Sequence, residues 1–332
     1  QGTRDAVEVF ITDVLATLPP LAHVLDRTDT SLPGTEEEGF SIAASISTSG
    51  ERTLIPPDVA TCDECLADMA DPSNRRYQYP FTTCTNCGPR LSIIEDLPYD
   101  RPNTTMRVFP MCPACETEYT TPTDRRFHAQ PISCPNCGPQ LSMSITAAQA
   151  LIDAGRILAV KGIGGFHLMC DATNEDAVAE LRRRKTRPDK PFAVMVPDLD
   201  WARRLVTLTP EEEELLTSPA RPIVIASARV ELPGIAPGLG DIGVLLPYTP
   251  LHSLLVDRPM VATSGNAAGE PLCFTNDDAM SKLGALADEF VLHDRDIHIP
   301  VEDSVFVGTT PSRRSRGYAP LPIPVAPGPT VL

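Results

Sequence analysis

Eight of the ten cysteines stand in four Cys-x-x-Cys pairs: Cys62/Cys65, Cys84/Cys87, Cys112/Cys115 and Cys134/Cys137. Eighteen residues separate the first pair from the second, and eighteen again the third from the fourth, so the pattern recurs after 50 residues (Cys62 to Cys112). The flanks recur with it: Arg75-Arg76-Tyr77 answers to Arg125-Arg126-Phe127, and CTNCGPRLS from Cys84 to CPNCGPQLS from Cys134. This is a duplicated unit. Two sulfurs three residues apart can face one ion from a tight knuckle, and the Gly-Pro after Cys87 and after Cys137 suits such a turn. Two knuckles across a loop of about 15–20 residues make a closed four-thiolate zinc site of structural type. Disulfides or redox dithiols are the competing chemistries; four pairs at repeated spacing fit two zinc ions better. The pattern alone admits pairing within each repeat or a nested pairing of first with fourth and second with third.

Three further places could handle phosphate. In RRRKTRPDK, from Arg182 to Lys190, six of nine residues are cationic. The first half suits a helix C-terminus, where cations favour the dipole, but Lys185 and Arg187 stand at the exit, within reach of a triphosphate. Thr263-Ser264-Gly265-Asn266 follows a buried strand and offers hydroxyls, an amide and backbone N–H groups, or it is a plain turn. Arg313-Arg314-Ser315-Arg316-Gly317 reads as either a cationic lip or a solvated tail. The loop Gly162–Gly165 resembles an anion-binding turn without a full Walker or dinucleotide pattern. The six histidines show no ligand spacing, no Ser/His/Asp triad or catalytic-metal motif is apparent, and Cys170 and Cys273 read as buried small residues.

The elements that must position these groups follow from periodicity. Val7, Phe10, Ile11, Val14, Leu15 and Leu18 predict an amphipathic helix over Arg4–Leu18, with Thr3 or Asp5 at its start and Pro19-Pro20 at its end. A strand is expected over Gly39–Ala44. From 146 onward helices and strands alternate: a helix to Ala154, a strand Ile157–Val160, a helix from Asn174 to Arg184, and a strand Phe192–Val196. An acidic helix starts at Thr209. Strands follow at Pro222–Ala226, Ile242–Leu246 and Met260–Thr263, then a helix over Asn276–Leu286 and last strands at Glu289–Leu292 and Ser304–Val307. That alternation indicates an α/β domain. The expected division is 1–50, the tail of an earlier domain; 51–144, a double zinc module that needs metal in place of a core; 145–320, the α/β domain; and 321–332, a Pro-rich linker. With 332 residues and 42% hydrophobic content the chain can bury real cores, and its formal net charge of −16 argues against general nucleic-acid binding. No apolar run reaches the ~18 residues that span a membrane. Clustered Cys-x-x-Cys without a secretory segment points to a reducing cytoplasm.

The string C-x2-C-x18-C-x2-C-x24-C-x2-C-x18-C-x2-C, with residues 75–106 and 124–139, resembles the zinc-finger region of HypF carbamoyltransferases. KGIGGFHLMCDA, KTRPDKPFAVM, GVLLPYTPLH, ATSGN, HDRDIHIPVEDSV and RRSRGYAPLP resemble the YrdC-type domain of that family, with its twisted mixed sheet, and residues 1–48 resemble the end of its acylphosphatase-like domain. The resemblance implies a carbamoyltransferase of nickel–iron hydrogenase maturation. Carbamate derived from carbamoyl phosphate is joined to the AMP part of ATP, taken with Mg²⁺, and pyrophosphate is released. The carbamoyl group then passes to the C-terminal cysteine of the partner HypE and becomes a cyanide ligand. It further implies two structural zinc ions on the eight cysteines. Lys185, Arg187, Ser264 and Asn266 become the leading candidates for binding ATP and the carbamoyl adenylate, with His252 and Arg316 behind them. Since the family's acylphosphatase loop would precede Gln1 and its transfer domain would follow Leu332, the chain as given is expected to lack acylphosphatase activity and final transfer. Two other classes compete: double-stranded RNA binding, which YrdC-type domains and zinc knuckles suggest, and a non-catalytic scaffold.

Overall fold

The structure, a computed structural model, describes residues 3–22, 24, 27–30 and 54–323. The chain forms two compact units, Gln1–Glu51 and Arg52–Leu332. In the first, helix α1 (Arg4–Ala16) follows the expected apolar spacing, and the Thr3 hydroxyl accepts from the Ala6 N–H as its cap. The strand expected at 39–44 lies outside the described residues, as does most of the Pro-rich tail.

The second unit begins with the cysteine repeats. Helices α2 (Asp63–Ala70) and α3 (Pro113–Thr120) are equivalent, each starting directly after the first cysteine of its repeat. Neither was expected, because eight residues with little apolar patterning carry a weak helical signal. Each turns its second cysteine, Cys65 or Cys115, into full burial. The buried cluster of the first repeat consists of Cys65, Cys84 and Cys87 with Cys62 packed against it. A cluster made only of thiols is no hydrophobic core, so metal must supply that cohesion.

The rest of the unit is a three-layer α/β arrangement. In chain order it runs α4 (Ile145–Asp153), β1 (Leu158–Lys161), β2 (Phe166–Asp171), α5 (Glu175–Lys185), β3 (Ala193–Met195), α6 (Leu199–Leu205), α7 (Pro210–Thr217), β4 (Ile223–Ser227), β5 (Asp241–Leu245), α8 (Pro250–Leu255), β6 (Met260–Ser264), α9 (Asn276–Leu283), β7 (Glu289–Val291), β8 (Val305–Val307) and β9 (Thr310–Arg313). The strands form one mixed sheet in the order β7-β1-β2-β6-β3-β5-β4-β8-β9. The pairs β1/β7, β3/β5 and β4/β8 are parallel and the others antiparallel. Local chemistry sets the helix starts: Asn174 caps α5, and Thr209 with Glu212 forms a capping box on α7.

Alternation along the strands splits the core. Ala159, Leu168, Val194, Val244 and Val261 face one side, where Val178 and Leu181 of α5, Ala202 of α6, Leu216 of α7 and Leu283 of α9 cover them. Leu158, Val160, Met169, Met195, Leu245 and Met260 face the other, under Ile152 of α4 and Leu251 and Leu255 of α8. In this α/β part four elements escaped the reading of periodicity. Strand β2 is buried on both faces and shows no alternation. Strand β9 (TPSR) is exposed throughout and carries no apolar signal. Helices α6 and α8 are only seven and six residues long. The Gly162–Gly165 stretch is the β1–β2 hairpin turn, closed by Gly162 N–H to Gly165 O at 2.8 Å. Among the described residues no helix is long and apolar enough to cross a membrane.

Candidate zinc sites and nucleotide cleft

The sulfurs of Cys62, Cys65, Cys84 and Cys87 converge, as do those of Cys112, Cys115, Cys134 and Cys137, which resolves the pairing as within each repeat. Sulfur–sulfur distances are 3.6 Å for Cys62–Cys84, 3.8 Å for Cys84–Cys87 and 3.6 Å for Cys65–Cys87. In the second set they are 3.7, 3.7 and 3.6 Å. A disulfide needs about 2.05 Å. A tetrahedral ion with bonds of about 2.3 Å places its sulfurs about 3.8 Å apart, which matches. Both donor sets therefore fit zinc. With four thiolates each they are closed, structural sites.

The second site is a cleft of about 1000 Å³ over the open half of the sheet. Helices α4 and α8 cover only part of that face. Beyond them, Ala262 of β6, Ala193 of β3 and Gly243 of β5 stand side by side in register. Three small residues in a row leave a shallow trough, and a Cβ added at Gly243 would come within 2.9 Å of Ile223 Cγ2. The walls carry Lys185, Arg187, Ser264 and Asn266, so the four leading candidates meet in one place.

Lys185 ends α5 and points into the protein. Its Nζ donates to Ser264 O at 2.6 Å, Asn266 O at 2.7 Å and Asn266 Oδ1 at 2.9 Å. These partners are neutral, so the loop after β6 orders the ammonium without cancelling its charge. Burial, with Arg187 nearby, lowers its pKa to about 8. Ser264 Oγ donates to Asn266 Oδ1 at 2.8 Å, and Asn266 Nδ2 to Glu270 O at 2.6 Å, which fixes the loop. Arg187 donates to Lys190 O and Pro191 O and lies 5.2 Å from the Phe192 ring centre.

Arg182, read as a helix-end cation, does more than close α5. It donates to Gly234 O, to Arg187 O, Pro188 O and Lys190 O, and to Ile235 O, stapling the cleft loop to the segment before β5. Arg183 pairs with Glu180, and Arg184 with Glu180 and Asp288. The arginines of the basic run are thus largely engaged within the chain.

Behind one wall lies a buried polar cluster. His167 sits directly opposite Ser264 on the neighbouring strand and lines the cleft. Its Nε2 is 2.9 Å from Asp303 Oδ2 and 3.5 Å from the Tyr248 hydroxyl. Arg316 Nε donates to Asp303 Oδ1 at 2.8 Å, and its guanidinium lies 3.3 Å over the Tyr248 ring. Burial alone would raise the Asp303 carboxyl, but Arg316 and His167 hold it well below the usual carboxylate range. His252 is fully buried against Tyr248 and His167, and burial lowers its pKa to about 3, so it is neutral. The structure does not bring His252 or Arg316 to the cleft surface; they stand one layer behind it. His167, Tyr248 and Asp303 line the cleft instead. The signals for His167 were a polar residue inside an apolar run and its place in the KGIGGFHLMCDA motif.

Residues 150–315 match the Sua5, YciO and YrdC family, described as telomere recombination. Residues 61–94 and 111–144 each match the HypF finger. Carbamoyltransferase HypF of Rhodobacter capsulatus is 50% identical over 328 residues, 93% of this chain and 44% of that protein. Threonylcarbamoyl-AMP synthase of Vibrio cholerae is 28% identical over 154 residues, 41% of this chain and 79% of that protein. The crystal structure of full-length HypF in its phosphate- and nucleotide-bound form superposes with a TM-score of 0.92 at 45% identity, covering 97% of this chain and 45% of that one. The chain spans less than half the length of these HypF relatives.

Proposed function

The chain belongs to the HypF carbamoyltransferase family, and from that premise we propose that its α/β part joins carbamate to the AMP moiety of ATP in hydrogenase maturation. The observation that carries this reading is the Lys185 ammonium, bonded at once to Ser264 O, Asn266 O and Asn266 Oδ1. That contact gathers a cation, a hydroxyl and an amide on one wall of a cleft large enough for a nucleotide. In the reaction, a carbamate oxygen attacks the α-phosphorus of ATP, the bond to the bridging oxygen breaks, and pyrophosphate leaves with the electron pair. Lys185 and Arg187 stabilise the charge on the phosphates, with ATP taken as its Mg²⁺ complex. Ser264 and Asn266 orient the carbamate, and the Ala262–Ala193–Gly243 trough receives the flat base. His252 and Arg316 act as positioning residues through Tyr248, His167 and Asp303.

The two four-cysteine sites would hold zinc as a structural frame, and reduced thiols of this kind fit a reducing cytoplasm. By the family premise the carbamate derives from carbamoyl phosphate, and the carbamoyl group is destined for HypE. Pyrophosphate release from ATP tests the reading, with freshly formed carbamate, carbamoyl phosphate or neither. Release that needs carbamate, and falls at least tenfold in Ser264→Ala, is the expected result. No release with any of the three, from folded protein holding two zinc ions, would overturn it.

A further inference from the structure

A second, smaller chamber lies between the first finger and the sheet. It measures about 20 Å³ and is lined by Phe81, Thr83 and Gly88 on one side and Lys161, Tyr248 and Arg295 on the other. Tyr248 is a wall common to this chamber and the large cleft.

Two cations line it without a counter-charge in contact. Lys161 is 1% exposed, and among the described residues its ammonium has one hydrogen-bond partner, His293 O at 3.1 Å. Arg295 is 7% exposed, its guanidinium lies 5.3 Å from the Phe81 ring centre, and its Nε has no acceptor among the described residues. The carboxylates that act on them do so from a distance. Asp58 spends one oxygen on Arg90 N, Ser92 N and Ser92 Oγ, and Asp294 accepts from Gln140 N. Asp296 and Asp294 act on Lys161, and Asp58 and Asp294 on Arg295, through space. His293 is buried and neutral, and faces Gly162 O through Nε2 at 3.2 Å. Among the described residues neither buried cation makes a direct ion pair with these carboxylates, so each lacks an anion in contact. Burial lowers the Lys161 pKa to about 8, which still leaves it charged at neutral pH.

We propose that this chamber, between Lys161 and Arg295, is a binding site for one small monovalent anion of halide size. The volume admits about one water-sized particle, so sulfate and phosphate are too large. A bound anion would tie the first finger (Phe81, Thr83, Gly88) to the β1–β2 hairpin and to the segment that carries Arg295. The proposal is independent of the nucleotide reading, because no group in it needs ATP.

The test uses the whole chain with its zinc. Crystals grown in sodium bromide are examined for anomalous scattering, and melting temperature is compared in bromide, bicarbonate and gluconate at equal ionic strength. The expected results are a bromide peak between Lys161 Nζ and the Arg295 guanidinium, and a rise in melting temperature of about 2 °C or more over gluconate. Both effects should vanish in Lys161→Met and in Arg295→Met. Either variant keeps an apolar stem of similar length and removes a buried charge, so the fold is expected to survive. Stabilisation by bromide and not by bicarbonate marks a halide-sized site; an equal response to bicarbonate, which is too large for the chamber, overturns it. The proposal is overturned if the chamber holds water, or if a bromide peak comes with no change in melting temperature, which would mean an adventitious ion only. Should a variant fail to fold, the bromide peak and the melting shift of the unmodified chain decide the proposal; a peak that persists in both folded variants overturns it.

Discussion

Arg125, in the second finger, donates from Nη1 to the sulfur of Cys65 in the first, at 3.2 Å. The reverse contact is its mirror: Arg75, in the first finger, donates to the sulfur of Cys115 in the second, also at 3.2 Å. The neighbouring arginines extend the exchange. Arg126 pairs with Asp68 and donates to Thr83 O, while Arg76 pairs with Glu118 and donates to Ser133 O. Each metal site is therefore buttressed by the other repeat, and the duplication forms one crossed pair. Partners of metal ligands tune affinity about 10–100-fold. Arg125→Met should speed zinc release from one site of the two by roughly tenfold or more, seen as a fast phase of one ion per chain with a colorimetric chelator. Two ions released at the unaltered rate would show that the contact carries no such weight.

Zinc removal should loosen a defined part of the unit. The segment after β7 runs along the fingers: His298 N donates to Ser92 O at 2.7 Å, and Thr105 Oγ1 to Asp296 O at 3.0 Å. Thr61 N–H reaches Tyr248 O at 3.2 Å. With metal gone, amides of the fingers and of the segment around Thr61 and His298 should lose hydrogen-exchange protection. Val194, Val244 and Val261, fully buried at the centre of the sheet, should keep theirs. Uniform loss across the sheet would mean that the metal holds the whole unit together.

Legibility differed by the range of the interaction. Cysteine spacing, the Asn174 cap and the cations at the end of α5 are local signals, and the zinc sites and α5 followed from them. The choice between within-repeat and nested pairing turned on how two distant knuckles meet, which spacing does not encode. Strand β2 was hidden because burial on both faces erases alternation. Arg182 was read as a helix-end cation, but it reaches Gly234 O and Ile235 O, carbonyls some 50 residues away that leave no trace in residue type. His252 and Arg316 came in with the motifs that carry the family resemblance. A motif does not reveal whether its residue faces the ligand or the layer behind it.

Proton uptake should accompany nucleotide binding above pH 8. Burial has lowered Lys185 from its ordinary value to about 8, and a phosphate brought beside the ammonium raises it again. Below that value the group is already charged and binding takes up nothing from it. At pH 9 it is mostly neutral, so binding should draw roughly 0.8 of a proton more than at pH 7. Calorimetry of ATP binding in buffers of different ionisation enthalpy reads this directly. Lys185→Arg, permanently charged, should abolish the difference whatever its affinity. The same depression works on stability with a definite sign: the charged form costs folding free energy below about pH 8, and the cost fades as pH rises towards the unfolded value.

Arg316 should matter more for stability than for nucleotide contact. It is 2% exposed, bonded to Asp303, Ala220 O and Arg221 O, and absent from the cleft surface. Arg316→Met strips Asp303 of its main counter-charge and should cost about 3–5 kcal/mol in urea unfolding. ATP affinity of the folded fraction should fall less than about tenfold, which is 1.4 kcal/mol. A loss of affinity as large as the loss of stability would place Arg316 in direct contact with the nucleotide.

The trough supplies a steric test that touches no charge. Ala193 lies between Ala262 and Gly243 in register and opens onto the cleft. Its side chain is small where its neighbours on the covered part of the same face, Met195 and Met260, are large. If a flat base rests there, Ala193→Leu should fill the space it needs and weaken ATP binding by about tenfold or more. Melting temperature should move little, because the added carbons enter the cleft instead of the packed core. Leu239→Ala, at an exposed rim position, serves as the control and should leave affinity within about twofold. If Ala193→Leu binds ATP as well as the unmodified chain while Arg187→Met does not, the nucleotide enters the cleft by its phosphates alone and the base lies elsewhere.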